Sequence, residues 1–269
     1  MVIPIHDKNP TRRTSVVNTA LVLINVAVFV LSPLAWSGLL GHPSTPSTQC
    51  AQAAYTYHWG AIPKELLTDR PLTQVPTSRA VSTHSGLACV AGRPDYHKSP
   101  VLSVLTAMFV HAGWLHLLGN MLFLMIFGNN VEDRLGRLRY LLFYLASGYV
   151  AAYGYAALTG GTATTPLVGA SGAIAGVLGA YLVLYPGARV WALVPVLFFI
   201  PLRLPAWLVL GGWFLIQWWY SAGGGVSGEA NVAYVAHVVG FLFGLLVILL
   251  FFRRRRRLAP PAQAWPSRW

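Results

Sequence analysis

Long runs without charge constrain this chain more than any other feature. Nothing acidic occurs between Asp133 and Glu229, and apolar stretches cover residues 16–36, 101–128, 140–158, 171–185, 206–220 and 231–252. About 20 apolar residues span a bilayer core as a helix. In hydrocarbon every backbone N–H and C=O must find its partner inside the protein, which makes the helix the default. A barrel would need alternating rather than continuous apolar residues. Composition agrees, with 55% hydrophobic and 10% charged residues, against about a quarter charged in a soluble domain. The expected fold is all-α: a polytopic membrane protein built as a six-transmembrane-helix bundle.

The same reading divides the chain into a polar tail at 1–15, a helical domain at 16–252 and a basic tail at 253–269. A signal peptide competes for the first run, but its apolar core covers about 7–15 residues. The run at 16–36 is longer, so a retained helix is expected. The formal charge of +12 would suit a nucleic-acid partner, yet its distribution follows membrane topology. With both termini inside, the inner side holds Lys8, Arg12, Arg13, Arg134, Arg137, Arg139, Arg189, Arg203, the five arginines at 253–257 and Arg268. The remaining basic residues, Lys64, Arg70, Arg79, Arg93 and Lys98, share one long outer loop at 37–100, and the short outer loops hold none. That asymmetry is the positive-inside pattern. It reads the arginine run as a stop-transfer anchor rather than a nucleic-acid- or lipid-binding tail. The partners expected are the lipid bilayer and no nucleic acid, and the location is a bacterial plasma membrane with cytoplasmic termini.

Cys50 and Cys89 both fall in the long loop, and no CxxC or Cys/His metal spacing exists. On an oxidising side one disulfide is the natural pairing. The loop is otherwise expected to be irregular, with a short helix near 63–67. Residues 132–139 read as a charged turn, and 190–201 as an interfacial piece too short to cross.

Polar residues inside such segments are functional candidates by default. Ser171 opens the fourth run among small residues. His237 lies about 10 Å along the sixth, counted at about 1.5 Å per residue. His116, on the second run, falls about 18 Å from the inner boundary placed at Gly128. The fourth run, at about 24 Å, is too short for a ~30 Å core, which sinks Ser171 into the outer half. Three helices therefore bring Ser171, His237 and His116 to similar depth, with Asn120 one turn below His116 on the same face. His111 points elsewhere. Gly172 and Gly176 on the fourth run, and Gly240 and Gly244 on the sixth, make small-residue stripes that allow close helix approach.

Three chemistries fit such a cluster. His237 can take the Ser171 proton while the serine attacks a carbonyl. His116, Asn120 and the backbone N–H of Ser171 would then hold the oxyanion. No carboxylate lies in a membrane segment, so a dyad rather than a triad is expected, with no cofactor. Alternatively His111, His116 and His237 bind a metal, but there is no HExxH motif and no acidic ligand nearby. Last, the polar groups are merely interhelical hydrogen bonds in a transporter or receptor; a non-catalytic membrane-protein-binding protein would also share the fold of a protease.

These residues resemble the rhomboid intramembrane serine proteases. The resemblance rests on Gly169-Ala170-Ser171-Gly172, on Ala236-His237-x-x-Gly240-x-x-x-Gly244, on His111-x4-His116-x3-Asn120, and on Gly128-x3-Glu132-x-Arg134-x-Gly136. It implies that Ser171 is the nucleophile, His237 the base, and His116, Asn120 and the Ser171 backbone the oxyanion hole. His111 would help organise the site, and Gly169, Gly172, Gly240 and Gly244 would support it. Substrates would be single-pass transmembrane proteins cut in or near their membrane segments, next to a small residue. The fifth helix, with Trp213, Trp218 and Trp219, would be a lateral gate. Two departures stand out. Leu102 and Ser103 occupy the positions of a first-loop Trp-Arg pair. Ala175 replaces an aromatic that stacks on the histidine, so His237 must be oriented by Tyr234 or a neighbouring helix.

Overall fold

The computed structural model describes residues 3–36, 45–83, 86–194, 200–223 and 233–252. The arginine run at 253–257, the rest of the basic tail, and Glu229 and Asn231 lie outside the described residues. The chain is mostly helical, and three helices are long and apolar enough to cross a membrane: Trp114–Leu135, Arg137–Leu158 and Tyr234–Phe251. Val16–Leu31 and Ser171–Leu184 are shorter apolar helices. Ala206–Ser221 is a further helix of 16 residues.

The helices are α1 (Val16–Leu31), α2 (Pro46–Trp59), α3 (Pro63–Thr68), α4 (Pro100–Ala107), α5 (Trp114–Phe123), α6 (Asn129–Leu135), α7 (Arg137–Leu158), α8 (Ser171–Leu184), α9 (Ala206–Ser221) and α10 (Tyr234–Phe251). A π-turn at Leu124–Gly128 joins α5 to α6 without a break. This corrects the expected second segment at 101–128. Its first part is the separate helix α4, begun by Pro100 with the Ser99 hydroxyl accepting from the Leu102 amide. The long helix starts only at Trp114 and enters the charged stretch as far as Leu135, so the turn expected at 132–139 narrows to Gly136.

Charged residues continue that helix because Glu132 has a partner. Its carboxylate accepts from the backbone N–H groups of Val17 at 3.1 Å and Asn18 at 2.7 Å. These are orphan donors of the first turn of α1, whose own N-cap Ser15 makes no side-chain cap. Asn18 then fills the irregularity of the π-turn. Its Nδ2 donates to the Leu124 carbonyl at 3.0 Å, and its Oδ1 accepts from Tyr140 at 2.6 Å. Gly136, at φ 82°, ends α6 in a conformation that favours glycine and lets α7 start one residue later.

Two small sheets modify the all-α expectation. Strand β1 (Ile3–Asp7) pairs antiparallel with β4 (Arg189–Val194), and β4 with β5 (Ile200–Pro205). The polar tail and the interfacial piece thus form one sheet. Asp7 fastens it to the bundle, accepting from Asn130 Nδ2 and from the Tyr181 hydroxyl, each at 2.7 Å. In the long loop, β2 (Val75–Thr83) and β3 (Gly86–Gly92) form a hairpin. A disulfide between Cys50 and Cys89 ties α2 to β3, with a Cα–Cα separation of 5.4 Å.

This cap is stitched to the membrane bundle. Ala61 and Leu167 exchange backbone hydrogen bonds of 3.0 and 2.7 Å, and Lys64 N–H donates to the Ala163 carbonyl. The Lys98 ammonium meets the Glu65 carboxylate at 2.8 Å, both nearly inaccessible at 5% and 1% exposure. Burial pushes the Lys98 ammonium below its usual range, with Glu65 opposing that shift. The cap therefore braces the loop that leads into Ser171.

Candidate active site

Ser171 is the first residue of α8, His237 the fourth of α10, and His116 the third of α5. All three lie in the first turns of their helices. The α8 start has no side-chain cap. Its first N–H groups are free of helical partners by geometry, beside the serine hydroxyl.

Glycine brings the helices together. A Cβ on Gly240 would collide with the Gly172 carbonyl oxygen, and one on Gly244 with the carbonyl oxygen of Gly176. α8 and α10 touch backbone to backbone along this seam, as small residues permit in membranes. At its end the Ser171 hydroxyl stands 2.8 Å from Nε2 of His237. The predicted serine–imidazole contact is made.

His116 lies over the turn before Ser171. Gly169 has φ 112°, and a Cβ there would sit 2.7 Å from Cε1 and Nε2 of the His116 ring. Only glycine satisfies both the backbone and the ring. The Ala112 N–H approaches His116 Nδ1 at 3.4 Å. That leaves Nε2 as the N–H side of a neutral ring, facing the serine turn. Asn120 is buried and donates its Nδ2 to the His116 carbonyl at 2.7 Å. An amide nitrogen carries two hydrogens, so one remains. His111 corrects the expectation of a helical residue. It sits in the turn ahead of α5, buried, with its ring edge-on to His116 at 5.1 Å.

Gln217, which belongs to none of the sequence motifs, completes the site. Its Oε1 is 2.7 Å from Nδ1 of His237, so the neighbouring helix that orients the base is α9. Trp213, on the same helix, lies 5.9 Å from the imidazole, and Tyr234 approaches edge-on at 6.4 Å. The signal was present in the chain: one amide within an apolar segment. Among the described residues no group of three or more His, Cys, Asp or Glu side chains is arranged to hold a metal ion.

A half-buried serine against a buried histidine thus sits among the apolar helices of an integral membrane protein. Residues 98–254, more than half the chain, match the family described as Rhomboid domain. The chain belongs to the rhomboid family. It is 32% identical over 155 residues to Rhomboid protein 1, mitochondrial, of Saccharomyces cerevisiae, covering 56% of this chain and 42% of that protein. Over 86 residues it is 40% identical to RHOMBOID-like protein 6, mitochondrial, of Arabidopsis thaliana, covering 29% of this chain and 25% of that one. Over 83 residues it is 40% identical to the rhomboid YdcA of Bacillus subtilis, covering 29% and 39%. The chain thus spans less than half the length of these relatives.

Proposed function

We propose that the chain is an intramembrane serine endopeptidase that cuts single-pass membrane proteins in or near their transmembrane segments. The observation that carries this reading is the 2.8 Å contact between Ser171 Oγ and His237 Nε2. A non-catalytic binder of membrane proteins has no need for it.

In the proposed reaction, Ser171 Oγ attacks the scissile carbonyl carbon as its proton passes to His237 Nε2. The carbonyl π bond opens to an oxyanion. The backbone N–H of Ser171, the Nε2–H of His116 and the second Nδ2 hydrogen of Asn120 are the donors for it. The C–N bond then breaks, and the leaving amine takes the proton from His237. Water repeats the attack on the acyl-enzyme, His237 again accepting the proton, and the serine is regenerated. His111 supports His116 from behind. No metal enters, so cleavage persists in EDTA. Beside Ser171 a cavity of only about 50 Å³, with Val104, Met108, Leu167 and Val168 among its walls, favours a small substrate side chain next to the bond.

The same proposal covers topology. The domain at 16–252 crosses the membrane six times, through α1, the joined α5–α6, α7, α8, α9 and α10. The tails at 1–15 and 253–269 are cytoplasmic, and the site opens to the extracytoplasmic side of a bacterial plasma membrane. The Cys50–Cys89 disulfide supports this orientation, since such bonds persist on the oxidising side. A fluorophosphonate probe tests the chemistry: purified protein should be labelled at Ser171, and Ser171→Ala should not be. Equal labelling of both would remove the assignment.

A further inference from the structure

α9 buries Ala206, Val209, Leu210 and Gln217 and turns Trp207, Leu215, Trp218 and Trp219 outward. Gln217 is the polar member of the inner stripe, 5% exposed. An amide in apolar surroundings is costly unless its hydrogen bonds are made. Its oxygen meets His237 Nδ1 at 2.7 Å, while the other ring nitrogen meets Ser171 at 2.8 Å. One imidazole is thus held from two helices, one partner on each nitrogen.

We propose that Gln217 is a positioning residue for the serine hydrolase reaction, an inference that rests on the reading of Ser171 and His237 given above. A neutral imidazole carries one proton. With that proton on Nδ1, Nε2 has the lone pair that accepts the Ser171 proton. With it on Nε2, the ring donates to the serine and is no base. The amide oxygen of Gln217 only accepts, so it selects the productive tautomer. As the serine proton arrives at Nε2, the ring becomes cationic and its Nδ1–H bond to Gln217 strengthens, because charge-assisted bonds are about twice as strong as neutral ones. The residue one turn after Ser171 is Ala175, too small to brace the ring, and Trp213 and Gln217 of α9 do so instead. The ionisable groups facing His237 are Ser171 on α8, His116 on α5 and Tyr234 on α10. Among the described residues no carboxylate is a hydrogen-bond partner of His237, so the amide takes the orienting place that an acid holds in a triad.

The test uses the full chain in detergent, with thermal unfolding to verify folding. Fluorophosphonate labelling and cleavage of a single-pass substrate are followed across pH for wild type, Gln217→Leu and Gln217→Glu, with Ser171→Ala as the blank. Gln217→Leu, which offers no acceptor, should lower kcat on the order of tenfold to a hundredfold, part of what a general base supplies, with KM little changed. Gln217→Glu, which keeps an acceptor oxygen, should recover most of the rate. The rising limb of its pH profile should move to higher pH, because a carboxylate holds the imidazole proton longer. Wild-type kcat and profile in Gln217→Leu, or Gln217→Glu as slow as Gln217→Leu at every pH, would overturn the positioning role. A wild type as inert as Ser171→Ala would instead overturn the dyad itself, and the positioning role with it.

Discussion

Replacing Gly244 with alanine should disarm the site from two helical turns away. The added Cβ would clash with the carbonyl oxygen of Gly176 and sit 2.6 Å from its carbonyl carbon and 2.7 Å from its Cα. These are backbone atoms with no rotamer to yield. Ordinary carbon contacts lie at about 3.5–4.0 Å, so α10 must retreat from α8 by about 1 Å. Gly244 is about 10 Å along the helix from His237, close enough for a rigid helix to carry the shift to the base. The dyad contact of 2.8 Å would then pass beyond hydrogen-bond reach. Losing the base costs about a hundred- to ten-thousandfold. Because a helix can tilt instead of translating, a loss of at least about tenfold is expected. Overpacking should also cost about 1–3 kcal/mol of stability. Initial rates of fluorophosphonate labelling, read beside thermal unfolding, check both. Gly212→Ala on α9 is the control, since its Cβ would meet nothing within 4 Å. If Gly244→Ala labelled as fast as wild type and Gly212→Ala, the seam would not set the dyad distance.

Two further outcomes follow from the site and the cap. Asn120→Ala and His116→Ala should each leave residual cleavage, lower by about a hundred- to a thousandfold, because the remaining donors still hold the oxyanion; single-turnover rates against wild type check this. Lys98→Ala should destabilise the fold by about 3–5 kcal/mol, since it strands the Glu65 carboxylate, 1% exposed, without its cation. Lys98→Ala combined with Glu65→Gln should recover part of that loss in denaturation midpoints.

Ser171 and His237 were legible because a polar group in an apolar run stands out, and the glycines facing each other across α8 and α10 told which helices could meet. Gln217 is equally a polar group in an apolar run, but it stands among tryptophans and its partner lies 20 residues on, beyond any local pattern. The sheet was not legible. β1 is five residues long and pairs with β4, more than 180 residues away, so nothing near Ile3 announces a strand. Residues 132–139 were legible in part. The chain does turn there, at Gly136, but Glu132 finds its donors on α1, and with that distant partner the helix reaches Leu135 before it breaks. The long loop had the same weakness: its disulfide pairing could be expected, whereas the Lys98–Glu65 pair and the Ala61–Leu167 bridge are set by tertiary contact.

If Ser171 is the nucleophile of a membrane-embedded peptidase, its removal must abolish cleavage. The most direct measurement reconstitutes wild type and Ser171→Ala in liposomes with a single-pass substrate and follows the appearance of its fragments. Cleavage is expected from wild type, none from Ser171→Ala, and nearly none from His237→Ala, because an unactivated serine is a weak nucleophile at neutral pH. Fragments appearing at the wild-type rate from Ser171→Ala would contradict that assignment.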